Sequence, residues 1–433
     1  MHAHEQRATN LLLAAVVVGA AVVSYDRASR QAFDFHHFYL DARYVYEHGA
    51  LNPNFDGPEP GRRRQLPFYL PTVPVLLAPL TAGGPRVAAA CWALLQAGSL
   101  AVALWTLRRW AGRPAALAIG VVLALPALHE AAKFNQLTFP VLALVVVGAD
   151  QLARGGVLRA GGLLAVAAVL KLLPALLLVW LLVQRRLRAA AAFVGVATGL
   201  IVVPPLVALG PAASGREHVT WWDYNVRGAS ARGLVDPALR EHFIDHRNQS
   251  IPAVVARLCW REHPYRAAWH PAELQLGACT WIARAVALGL LGLLVLATHA
   301  GRSARPTAPP GVDLSAHVFA WASVYLLAML ILAPLLRQYY LAWALPALVL
   351  LATHGLQGRG AAGRTAAWVA VAAWVLGMAA WLSDAARLFG AHLLMLIVMA
   401  ATLVIVALSR RVRRGEAAVD ERHDRPPARL RGV

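Results

Sequence analysis

The chain has 433 residues, 59% of them hydrophobic and only 15% charged, with a formal net charge of +19 and a mean hydropathy of +0.54. Its apolar runs repeatedly approach the roughly 20 residues that a helix needs to cross a bilayer, which excludes an ordinary soluble domain. Leu, Ala and Val fill these runs without the polar alternation of a transmembrane barrel, so the fold class is all-α, a polytopic integral membrane protein. Its arginines fall in short loops and a basic tail, where they read as topology signals, and no nucleic acid partner is expected.

The first apolar run, Thr9 to Tyr25, resembles a signal peptide, but no small-residue cleavage site precedes Asp26, so it counts as the first membrane helix. Next comes DFHHFYLDARYVYEHG, Asp34 to Gly49. Phe35, Phe38, Tyr39, Ala42, Val45 and Tyr46 recur at helical spacing on one face. His36, His37, Arg43, Tyr44, Glu47 and His48 lie on the other, and Gly49 is the stop signal. Asp34 opens this juxtamembrane helix, either as an N-cap for free backbone donors or as a general base at the bilayer surface. Asp41, read as one helix face away, is the reserve base and otherwise a solvated or Arg-paired surface group. His36 and His37 could orient a substrate or sense pH. No further metal ligands accompany them, so no metal site is expected.

The segment LPFYLPTVPVLLAPL loses a backbone donor at each of Pro67, Pro71, Pro74 and Pro79, and reads as interfacial or re-entrant. Plain spans follow at Val87 to Leu107, Ala115 to Leu128, Leu137 to Leu152, Leu187 to Leu209, Leu276 to Thr298, Ala316 to Leu335, Tyr339 to Thr353, Ala366 to Leu382 and Leu388 to Leu408. The run RAGGLLAVAAVLKLLPALLLVWLLVQRRLR carries Lys171 and Pro174 at its centre. Arg108, Arg109 and Arg113, Arg154 and Arg159, Arg185, Arg186 and Arg188, Arg302 and Arg305, Arg359 and Arg364, and the tail all fall inside only if this run crosses twice as a short hairpin. About twelve helices result, with both termini cytoplasmic and the protein in the cell inner membrane. The membrane domain spans 1–409 with external loops 26–86 and 211–275, and 410–433 forms a basic, disordered cytoplasmic tail.

This topology gathers polar residues on the external or periplasmic face. An ionisable residue inside an apolar hairpin marks a cavity by default, so Lys171 is a candidate point charge for a phosphate, against the alternative that it snorkels to the interface. Arg337, in APLLRQYYLAW, carries the same two readings, with Gln338, Tyr339 and Tyr340 beside it as further donors. Asn135 and Gln136 suit sugar hydroxyls. Asn248 and Gln249, in NQSIPAVVARL, belong to a long external loop, and NQS is formally a glycosylation acceptor. Arg257 pairs with a phosphate or with Glu262. Cys91, Cys259 and Cys279 show no metal spacing and read as buried, inert thiols.

An external carboxylate with buried cations and amides beside lateral lipid access suits a reaction between a lipid-phosphate-linked donor and a hydroxyl acceptor. No Gly-rich phosphate loop is present, and no nucleotide or other cofactor is expected. The ordered set DFHHFYLDARYVYEHG, FYLPTVPVLLAPL, KFNQLTFPVLAL, the Lys-Pro hairpin, NQSIPAVVARL and LAPLLRQYYLAWALPALVLL resembles glycosyltransferase family 87, the GT-C-fold, polyprenol-phosphate-mannose-dependent α-1,2-mannosyltransferase-like membrane proteins. That resemblance implies an inverting hexosyl transfer, with mannose the leading sugar, from a polyprenyl-phosphate donor to a glycan or glycolipid acceptor. It implies Asp34 as general base and Lys171 and Arg337 near the donor phosphate. The rival reading is a transporter or lipid-linked-sugar flippase, which would also need intramembrane charge, but no internal repeat supports it.

Overall fold

Backbone groups in lipid have no water to bond to, and the apolar segments described here satisfy them as helices. In the computed structural model, residues 2–32, 34–51, 69–227, 245–265, 269–302, 314–358 and 360–423 are described. Among them there is no strand, only an isolated bridge between Trp260 and Leu274. The helices are α1 (His2–Ser29), α2 (Asp34–His48), α3 (Thr72–Leu77), α4 (Gly84–Trp110), α5 (Pro114–Phe134), α6 (Thr138–Ala153), α7 (Val157–Leu170), α8 (Leu176–Val183), α9 (Leu187–Leu209) and α10 (Pro211–Trp222). They continue as α11 (Ile251–Cys259), α12 (Leu276–Arg302), α13 (Leu314–Leu332), α14 (Leu345–Gln357), α15 (Ala361–Ala379), α16 (Asp384–Leu388) and α17 (Ala391–His423). The last helix carries past 409 into the basic tail, of which 424–433 lie outside the described residues.

Among the described residues, eight segments are long and apolar enough to cross a membrane: His4–Ser29, Gly84–Trp110, Pro114–Phe134, Leu187–Leu209, Leu276–Gly301, Gln338–Gln357, Ala361–Leu382 and Ala391–Leu408. Shorter apolar helices occupy Thr138–Ala153, Val157–Leu170, Leu173–Val183 and Ala316–Leu332, where the other spans are expected. The Pro-rich segment forms a further short helix, Thr72–Thr81. Small residues set the closest approaches. A Cβ on Gly120 would stand 2.9 Å from the Val349 backbone, and one on Gly161 would strike the Ala189 carbonyl.

That second approach also fixes direction. Gly161 faces Ala189, Gly162 faces Val196, and Val169 packs with Leu200 and Ile201, so α7 and α9 run parallel. The chain therefore reverses between them, and Lys171 sits at the reversal in extended conformation before a 3-10 turn, Leu173–Ala175, leads into α8. The returning helix is splayed from α7 and packs on α9, α12 and α13.

Pro204 and Pro205 lie inside α9. Each lacks the N–H that would bond the carbonyl four residues back, which frees the oxygens of Leu200 and Ile201. Two peripheral helices supply the replacements. Thr72 Oγ1 donates to the Leu200 carbonyl at 2.9 Å, and His218 of α10 reaches the Ile201 carbonyl through Nε2 at 3.0 Å while its Nδ1 lies 2.7 Å from the Ser214 carbonyl. Trp221 then packs with Leu70 and Val169 against this region.

Candidate active site

The apolar face of α2 does what its spacing predicts: Phe35, Phe38, Tyr39, Ala42 and Val45 are buried. Phe35 and Phe38 pack on Trp92 of α4 with ring centroids 5.7 and 5.1 Å apart, and Phe38 also meets Tyr69 at 4.8 Å. Tyr46, assigned to that face, is instead 53% exposed, under the Arg43 guanidinium at 5.6 Å. Docking by these rings fixes where the first residue of the helix, Asp34, points.

Gln136 is placed from the other side. α5 stops at Asn135, which adopts the left-handed conformation (φ 54°) that Asn tolerates better than most residues. The Asn135 amide donates to the Ser24 carbonyl at 3.0 Å, and Ser24 donates to the Ala132 carbonyl, so the ends of α1 and α5 are tied together. Gln96, inside α4, donates to the Gln136 carbonyl at 2.7 Å. The Gln136 side chain then bridges three groups. Its amide nitrogen donates to Asp34 Oδ2, and its Oε1 accepts from Lys171 Nζ at 2.7 Å and from the Tyr69 hydroxyl at 2.9 Å.

Lys171 is only 8% exposed. Its ammonium lies 4.0 Å from the ring centre of Tyr340 and 5.7 Å from those of Tyr339 and Trp343. It is held in a polar and aromatic cage inside the protein. Trp343 Nε1 donates to the Thr138 carbonyl at 2.9 Å, which fixes the 3-10 turn Gln338–Ala344 against α6. Burial pushes the Asp34 carboxyl up to about 6, against the opposing pull of the Lys171 charge.

Arg337 belongs to the same end of the bundle. Its carbonyl accepts from the Tyr340 amide at 3.0 Å, and its Nη1 donates to Asp245 Oδ2 at 2.9 Å. Burial works to raise the Asp245 carboxyl, but the Arg247 amide and the Arg337 guanidinium outweigh it and hold it below its ordinary value. The turn before Arg337 is gripped by the long loop. Asn248 Oδ1 accepts from the Leu336 and Ser250 amides at 3.0 and 3.1 Å, and the Gln249 amide donates to the Leu336 carbonyl at 2.9 Å. Gln249 Nε2 also donates to the carbonyls of His246 and Arg387.

Several expectations change. Asn248 is fully buried and bonded to backbone, so it is no accessible glycan acceptor in the folded chain. Asn135 and Gln249 likewise spend their amides on backbone carbonyls. Arg257 pairs neither with an open anion site nor with Glu262. It is buried, with Nε on the Leu388 carbonyl and its terminal nitrogens on those of Asp245, Asn248 and Arg387. Asp41 is two helical turns from Asp34, which puts it on the same face, not another. It has no cationic partner among the described residues, and burial pushes it up to about 8. His36 and His37 stack edge-on at 5.9 Å, and the described residues contain no group of three or more metal-ligating side chains. Cys279 is buried but Cys91 and Cys259 are only half-buried. Tyr69, Gln96, Trp343 and Asp245 are the site residues that sequence reasoning missed. A lone amide inside an apolar span was the available signal for Gln96.

The fold is thus a polytopic bundle of apolar helices with a half-buried carboxylate, a buried amide and a buried ammonium bonded together at one end. The chain belongs to glycosyltransferase family 87, whose sequence profile matches residues 68–322, and it is therefore a membrane glycosyltransferase. The matched region contains Tyr69, Gln136, Lys171 and Asn248 and leaves Asp34 and Arg337 on either side of it. Among curated proteins and among solved structures, none matches the chain.

Proposed function

We propose that the protein transfers a hexose, with mannose the first to test, from a polyprenyl-phosphate sugar to a hydroxyl of a glycan or glycolipid acceptor on the external face of the membrane. The observation that supports this reading is the bonded series Asp34, Gln136 and Lys171, which joins a carboxylate to a cation inside the protein. The acceptor oxygen attacks the anomeric carbon as Asp34 takes its proton. The bond from that carbon to the phosphate oxygen breaks, and the lipid phosphate leaves with the electron pair. Lys171 and Arg337 offset the negative charge that develops on it. Attack opposite the leaving group makes the transfer inverting.

His36, His37 and Gln338 are assigned to the sugars, with Tyr339 and Tyr340 as stacking faces beside the donor. With the four shorter apolar helices counted as crossings, the topology has about twelve spans and both termini are cytoplasmic. The test is to incubate the purified protein with a panel of polyprenyl-phosphate hexoses and a mixed glycolipid acceptor and to follow donor consumption. One hexose donor should be consumed, and Asp34→Asn should abolish its consumption in a protein that still folds. Full turnover by that variant would remove Asp34 as the base.

A further inference from the structure

The side chain of Gln136 has a fixed sense. Two donors, the Lys171 ammonium and the Tyr69 hydroxyl, converge on Oε1, so the opposite edge of the amide must present N–H, and that edge faces Asp34. A flipped amide would set its NH₂ against an ammonium and its oxygen against a carboxylate. Gln136 is 6% exposed, and its own carbonyl is held by Gln96, itself fully buried. The bonds of the Gln136 side chain are thus with the chain's own ionic groups, which leaves it little capacity for a sugar hydroxyl.

We infer that Gln136 is a positioning residue that aims the Asp34 carboxylate and couples it to the charge on Lys171, with Gln96 and Tyr69 as its supports. The coupling has a direction. A cation on Lys171 polarises the amide so that its N–H holds the anionic form of Asp34 in one orientation. When a donor phosphate draws Lys171 away, that N–H donates less strongly, and the carboxylate is freer to accept a proton. Donor binding and readiness of the base are then linked through one amide. The inference rests on the reading of Asp34 as general base.

The experiment compares wild type with Gln136→Ala, Gln136→Glu, Gln96→Met and Asp34→Asn, using whichever hexose donor the wild type turns over fastest. Gln136→Ala should lower kcat on the order of 10²-fold, the cost of a misplaced catalytic group, while KM for donor and acceptor stays within about twofold. Gln136→Glu keeps the shape and the acceptor for Lys171 but sets a second carboxylate against Asp34, so the acid limb of kcat should move to higher pH by about one unit. Gln96→Met leaves the site's side chains in place and should lower kcat several-fold with KM unchanged, and it stands in if a Gln136 variant fails to accumulate. A rise in KM with kcat retained would mean that Gln136 touches substrate, and an unmoved acid limb in Gln136→Glu would remove the coupling. Activity in Asp34→Asn would instead defeat the base assignment, whatever Gln136 does.

Discussion

Arg337 Nη1 lies 2.9 Å from Asp245 Oδ2, so of the two cations assigned to the donor phosphate one is already neutralised by the chain while the other, Lys171, is met by an amide oxygen and aromatic rings. On the proposed chemistry the donor phosphate competes with Asp245 for Arg337, whereas among the described residues no carboxylate bonds Lys171 directly. Asp245→Asn keeps the shape and the acceptor for the Arg247 amide and removes that competition. It should lower the donor KM roughly fivefold, about 1 kcal/mol for a partly buried pair, and steepen the salt dependence of donor use. Steady-state kinetics at two ionic strengths provide the check.

The two aspartates on α2 separate by their proton affinities. Burial lifts Asp34 to about 6 and Asp41 to about 8. A base acts in its ionised form, so catalysis by Asp34 predicts a kcat that climbs as pH rises through about 6 and is level above it. Asp41 is largely protonated at pH 7 and is poorly suited to the role. Asp41→Asn, which mimics that neutral form, should therefore stay near wild-type rate at pH 7, whereas Asp34→Asn should lose about 10²- to 10⁴-fold. Loss of activity in the first and not the second would reverse the assignment.

Lys171 is held over the face of Tyr340 among three aromatic rings, a space that suits a compact ammonium better than a planar guanidinium. Lys171→Met should raise the donor KM by tenfold or more, about 1.4 kcal/mol, with the acceptor KM little changed. Lys171→Arg should restore only part of the loss. Equal effects on donor and acceptor would point to a general distortion of the site.

Arg257 is a matter of stability. Removing its guanidinium takes a donor from each of the carbonyls of Asp245, Asn248, Arg387 and Leu388 and leaves its buried place among them unfilled. Arg257→Leu should cost about 3 kcal/mol and depress the thermal midpoint in detergent. Because these contacts hold the loop beside Arg337, the donor KM should rise as well.

Much of the helical framework could be read from the sequence because hydrophobic length and the arginine pattern are local signals. They placed the reversal at Lys171 and the buried face of α2, with Tyr46 its one misassigned residue. The missed groups act through contacts that sequence spacing does not encode. Gln96 is a single amide in an apolar span, and Tyr69 lies in a segment remarkable in sequence only for its prolines. Arg257 was expected to find an anion because its partners are backbone carbonyls, which no residue letter reveals. Asp41 was misjudged for a simpler reason: seven residues is two full turns, which returns a side chain to the face it left.

The proline pair in α9 shapes how substrates can come and go. The oxygens of Leu200 and Ile201 are served by Thr72 and His218, which belong to different outlying helices. Neither helix can swing outward without giving up a bond to an oxygen that α9 itself no longer satisfies, so this flank behaves as a sealed wall. For the proposed lipid-borne donor, entry and departure then lie elsewhere around the circumference.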